Sequence, residues 1–150
     1  MSDTSEPLSI EVKAIPADEH RYPTCGDWAW THVDCDGMPP LGHVVTDFND
    51  LRVRVTAMGD WRYEALVAVH EIVETLACRA AGVDPAAVDA FDVAFEAQRE
   101  AGGVGPDAEP GMDPKAPYHR QHVFADAIER LLARELGVDW EAYNTAVMES

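Results

Sequence analysis

The pattern of apolar and polar positions changes character near residue 58. Before it, short runs alternate with a period of two, as half-buried strands do. "SIEV" reads as a weak strand, and "GDWAWT" puts Trp28 and Trp30 on one face. "LRVRVT" is the best of the three: Leu51, Val53 and Val55 point one way, and Arg52, Arg54 and Thr56 the other. Turn residues in "DCDGMPPLG" and "DFND" separate these pieces, and residues 1–8 read as a polar tail.

After residue 58 the period becomes helical. Asp60 is placed to cap a helix running to Ala81, with Gly82 just past its end. Its apolar stripe reads Leu66, Val69, Val73, Leu76 and Ala77. A second helix begins with Asp84 as cap and Pro85 in the first turn and ends near Glu100, with Val88, Phe91 and Phe95 as its stripe. Residues 101–117 are too rich in Gly and Pro for regular structure, and so long a loop in a small domain is usually functional or mobile. A third helix is predicted from Pro117 to Gly137, with Val123, Phe124, Ala127, Ile128 and Leu131 as its core stripe. Asp139 then caps a short last helix. These elements make a single α+β domain over residues 1–150, in which a small N-terminal β-sheet packs on a bundle of three longer helices and one short C-terminal helix.

The composition sharpens this picture. At 150 residues and 47% hydrophobic, the chain supports one domain with a real core. It has 11 Lys plus Arg against 28 Asp plus Glu, a net charge of −17. That charge repels a polyanion and argues against direct nucleic-acid binding. It suits plain solubility, a cation binder, or an acidic protein that occupies a basic protein partner. Three cysteines without CxxC spacing argue against a disulfide framework and a zinc ribbon. No signal peptide or membrane-length apolar run is present, so a reduced, cytoplasmic protein is expected. The oligomeric state is not fixed by the sequence.

The candidate chemistry lies in "VAVHEIVETLAC". At ~100° per residue, His70 falls within ~20° of Ala77, and Glu74 ~40° beyond His70. Positions i and i+4 stack on one face, so the imidazole and the carboxylate reach a common point. Glu71 points aside. A buried carboxylate is costly unless it is paired, protonated or bound to a metal. On the third helix His119, His122 and Asp126 share an arc of ~60° at the edge of the stripe. His119 and His122 can turn to one point, with Asp126 placed to orient the His122 ring. Asp92 lies at the edge of the second stripe, as a further ligand or an orienting partner. Taken singly, each of these residues reads as structural. Together they predict a transition-metal site with His70, Glu74, His119 and His122 as ligands. Imidazoles with carboxylates favour zinc, or iron or manganese in a more open site. Magnesium alone would not need the histidines.

"HEIVE" resembles the HExxH motif of zinc metallopeptidases, with Glu74 in place of the second histidine. The resemblance implies that His70 and Glu74 are ligands and that Glu71 is the general base acting on water. It also implies that "LRVRVT" is the edge strand that aligns a peptide. The stretches "MGDWRYEALVAVHEIVETLAC", "VDAFD", "DPKAPYHRQH" and "LGVDWEAY" resemble a group of small phage and prophage-associated proteins with no assigned activity, which implies at most a metal-dependent, hydrolase-like fold. Glu71-x-x-Glu74 followed by Asp89-x-x-Asp92 is similar to the magnesium-binding pattern of all-α nucleotide pyrophosphohydrolases. A metal-dependent hydrolase is therefore expected first. The pyrophosphohydrolase and a non-catalytic acidic interaction protein of phage type are the alternatives.

Overall fold

The computed structural model describes residues 7–150. Most of the expected polar tail lies outside the described residues. The architecture is α+β, as the pattern predicts: a three-stranded sheet and four helices. Strands β1 (Ser9–Ile15), β2 (Gly26–Thr31) and β3 (Asp50–Thr56) are ordered β1-β3-β2. β3 runs parallel to β1 and antiparallel to β2, with Trp28 opposite Val53 and Trp30 opposite Leu51.

Leu51, Val53 and Val55 are at most 1% exposed, so β3 is the spine of the core. Both of its edges are hydrogen-bonded to neighbouring strands, so it cannot be the substrate-aligning edge strand that the metallopeptidase resemblance implies. Its polar face is buried too. Arg52 bonds to Asp50 and reaches the carbonyls of Val33, Cys35 and Gly37, while Arg54 pairs with Glu11. These bonds tie the irregular 32–49 segment over the sheet and satisfy the guanidinium groups away from water.

The helices form where the caps place them. α1 (Trp61–Ala81) starts at Asp60, whose carboxylate accepts from the Arg62 N–H, and ends at Gly82 with φ 74°. α2 (Pro85–Glu100) starts at Asp84, which accepts from Ala86 N–H. α4 (Trp140–Glu149) starts at Asp139, which accepts from Ala142 N–H. α3 spans His119–Glu135, two residues shorter at each end than expected, because Tyr118 is its N-cap and Leu136 its C-cap. Between α2 and α3, a single 3-10 turn at Pro110–Met112 interrupts the Gly/Pro-rich loop.

Of the expected core stripes of α1 and α3, only Leu66 is fully buried. α1 buries Val67, His70, Glu74, Thr75 and Cys78, while Leu76 is exposed and Val69 and Val73 are only half-buried. The buried centre is turned ~130° from the expected stripe by helix geometry. α3 buries His122, Ala125, Glu129 and Ala133, and leaves Val123, Phe124 and Leu131 in solvent. α1 is apolar on nearly all sides, so the face that goes inward is set by partners. Trp28 and Trp30, one turn of pleat apart on β2, donate their indole N–H groups to Glu74 and Thr75. α1 and α3 run antiparallel, with His70 opposite Glu129 and Glu74 opposite His122. No described helix is long and apolar enough to cross a membrane.

Candidate metal centre

His70, Glu74 and His122 converge in the buried space between α1, α3 and the sheet. His70 Nε2 lies 3.1 Å from Glu74 Oε2 and 3.2 Å from His122 Nδ1, and His122 Nδ1 lies 2.9 Å from Glu74 Oε2. The three atoms form a nearly equilateral triangle. A tetrahedral ion with bonds of ~2.0–2.1 Å holds its ligands ~3.3 Å apart, so this triangle is close to one face of such a polyhedron. The donor set, two imidazoles and a carboxylate, suits a transition ion.

Each of the two α1 side chains is aimed by a partner. His70 Nδ1 lies 2.7 Å from Glu129 Oε1, which leaves Nε2 directed at the centre. Tyr143 in turn donates to Glu129 Oε2 at 2.5 Å. Glu74 Oε1 accepts from Trp28 Nε1 at 3.0 Å, which leaves Oε2 for the centre. This is the usual way a protein fixes ligand tautomer and direction. The His122 ring is held by packing. A Cβ built on Gly111 would lie 2.3 Å from its Cγ and Nδ1, so only glycine lets the 3-10 turn approach this closely.

The electrostatics of the metal-free cluster follow from burial and pairing. Burial alone would lower the His70 pKa, but hydrogen bonds to Glu129 and Glu74 outweigh it and hold it at about 11. Burial alone would raise Glu74, but His122 and His70 hold it at about 2. The cluster is therefore an imidazolium–carboxylate assembly.

Glu71 sits beside this centre. Its carboxyl carbon would be 3.0 Å from a Cβ on Gly26, so the start of β2 presses directly against it. It makes no hydrogen bond within the described residues and lines a cavity of about 440 Å³ shared with His70, Glu74 and His122. Some of its surface stays open to that cavity, although protein crowds it on all sides. Burial first, and the Glu74 charge second, push its pKa well above the ordinary carboxylate range.

The other expected residues lie elsewhere. His119 is turned away from the centre, with Nδ1 2.9 Å from the Gly111 carbonyl, and anchors the turn that packs on His122. Asp126 pairs with Arg130 one turn along and does not touch His122. Asp92 accepts from Tyr22 at 2.9 Å and Tyr118 at 2.5 Å. Burial lifts it to about 7 against these two bonds, and it is outside the ligand triangle. Asp89 is taken by Arg21 and the Gly42 N–H, so the acidic pairs of α1 and α2 do not meet at one ion. Glu129, Trp28 and Tyr143 complete the hydrogen bonding of the cluster, and the apolar pattern missed them in that role. For Glu129 the signal was the spacing His122, Ala125, Glu129, Ala133, a second helical stripe hidden by its small and polar residues.

No family model, curated protein or solved structure matches the chain.

Proposed function

We propose that the protein is a metal-dependent hydrolase, with His70, Glu74 and His122 holding a transition ion, zinc by donor preference, and Glu71 as general base. The observation that carries this reading is the pairing of a three-atom ligand triangle with a carboxyl that has no protein partner and faces the same cavity. Three protein ligands leave a tetrahedral ion one position open, the arrangement of catalytic rather than structural zinc. The ion would supply Lewis acidity. Glu71, which faces the same cavity beside the centre, is placed to take a proton from water there and pass it to a leaving group. Glu129 and Trp28 keep His70 and Glu74 in ligand geometry throughout.

The cavity wall weighs against the pyrophosphohydrolase alternative. Asp27, Asp89, Glu96 and Glu109 line it, and Arg99, the one Lys or Arg among the lining residues, is tied to Glu96 and to the Gly105, Pro106 and Ala108 carbonyls. A phosphate would meet acid without a free cation. Three free thiols suit a reducing compartment, and we assign the protein to the cytoplasm.

The test is the contrast between Glu71→Gln and Glu74→Gln. Glu71→Gln should keep metal content and melting temperature while abolishing hydrolysis in a panel of peptide, ester and phosphodiester substrates. Glu74→Gln should lose the metal. If Glu71→Gln loses metal as readily, Glu71 is a ligand. If it keeps both metal and activity, it is a packing residue.

A further inference from the structure

Apart from buried Leu66, the apolar stripes that the sequence assigns to the core of α1 and α3 are half-buried or exposed. Leu76 is 36% exposed, Val123 44%, Phe124 54% and Leu131 59%, and half-buried Val69 and Val73 lie beside them. α3 turns His122 and Glu129 toward α1, so helix geometry puts Phe124, Ala127 and Leu131 on the far side of α3 from α1, with Val123 at the margin of that face. Ala127, between Phe124 and Leu131, is exposed as well.

We infer that this face is covered by a second copy of the chain, with α3 packed antiparallel on α3 of the partner about a two-fold axis between Ala127 and Ile128. The order of side chains along α3 carries the choice of occupant. In that register Phe124 meets Leu131 of the other copy, small Ala127 meets Ile128 at the axis, and Arg120 meets Glu135. Each contact occurs twice, as an isologous interface requires. Phe124, Ala127 and Leu131 keep the a/d spacing of a helix–helix seam. Arg120, Arg134 and Glu135 are exposed and have no ion-pair partner among the described residues. The charge distribution agrees. The chain carries −17, so two copies repel over most of their surface. Arg120, Arg130 and Arg134 are three of its 11 basic residues and balance Asp126, Glu129 and Glu135 on this helix, so along α3 two copies meet without the acidic excess of the rest of the chain.

The site lies on the other side of α3, so the interface can be changed without touching it. Sedimentation equilibrium of the full chain should give twice the monomer mass at micromolar concentration. Phe124→Asp, a change at an exposed position, should give a monomer with unaltered circular dichroism and unaltered zinc content. Arg120→Glu should weaken the dimer several-fold, and Arg120→Glu with Glu135→Arg should restore it. A wild-type monomer at 100 μM (about ten times a working concentration) overturns the inference. So does a dimer that survives Phe124→Asp, which would place the interface elsewhere. A charge-swapped double variant as weak as the single one overturns the antiparallel register.

Discussion

Glu129 Oε1 lies 2.7 Å from His70 Nδ1, so a carboxylate from α3 fixes the direction of a candidate metal-binding imidazole on α1. The pair is buried, and Tyr143 from α4 closes the chain of bonds by donating to the other Glu129 oxygen. Three helices thus meet through one imidazole. The ligand triangle depends on their docking as much as on the ligands themselves.

Glu129→Gln should therefore lower metal affinity by ~10- to 100-fold while leaving the ligand set intact, the range for loss of an orienting partner. Competition against a chromophoric chelator measures it. Tyr143→Phe should fall between wild type and Glu129→Gln. An affinity unchanged in Glu129→Gln would mean that His70 is aimed by packing alone.

Gly111→Ala tests the contact that holds His122. The new methyl would sit 2.3 Å from the ring, so either the 3-10 turn or the imidazole must move. The expected result is a metal affinity reduced at least as much as by Glu129→Gln, with helix content unchanged by circular dichroism. Full affinity would show that the turn moves freely.

Metal binding should release a proton. In the metal-free protein burial lowers the His70 pKa, but Glu129 and Glu74 hold it at about 11, so an ion must displace that proton at neutral pH. The sign follows directly. The raised His70 pKa stabilises the metal-free fold below its unfolded value of ~6.5, and this is lost as pH rises through about 11. The lowered Glu74 pKa stabilises it above ~4.5, and this is lost as pH falls through about 2. Zinc affinity should accordingly rise by ~10-fold per pH unit between pH 6 and 8. Calorimetry in buffers of different ionisation enthalpy counts the proton. A pH-independent affinity over that range would contradict the protonated state of His70.

Chelation should lower the melting temperature of metal-loaded protein, because an ion bound only to the native state stabilises it by mass action. Glu74→Gln should show no such chelator effect. An equal shift in both proteins would place the bound ion elsewhere.

Much of the fold was legible because its punctuation is local. Asp60, Asp84 with Pro85, Asp139 and Gly82 fix helix ends through bonds to residues two or three positions away. The alternation in "LRVRVT" likewise marked β3. Which way α1 and α3 turn was not local information. Val69, Val73, Phe124 and Leu131 obey the helical period as well as any core stripe, yet the buried faces carry His70, Glu74, His122 and Glu129. Those polar groups are affordable inside because they satisfy one another and the β2 tryptophan at Trp28, a relationship between residues 46 to 59 positions apart. The convergence of His70 and Glu74 was legible because i, i+4 spacing is local, whereas His122 joins them only through the docking of α3 on α1. His119 was misassigned because its i, i+3 relation to His122 matters only if the helix turns that edge inward, and it turns the other edge.

The most direct measurement is zinc titration of untagged, metal-free protein by calorimetry, with elemental analysis of the product. The account predicts one ion per chain, lost in Glu74→Gln and in His122→Ala and retained in His119→Ala and Asp126→Ala. Absence of uptake, or uptake that persists without His122 and disappears without His119, would contradict it.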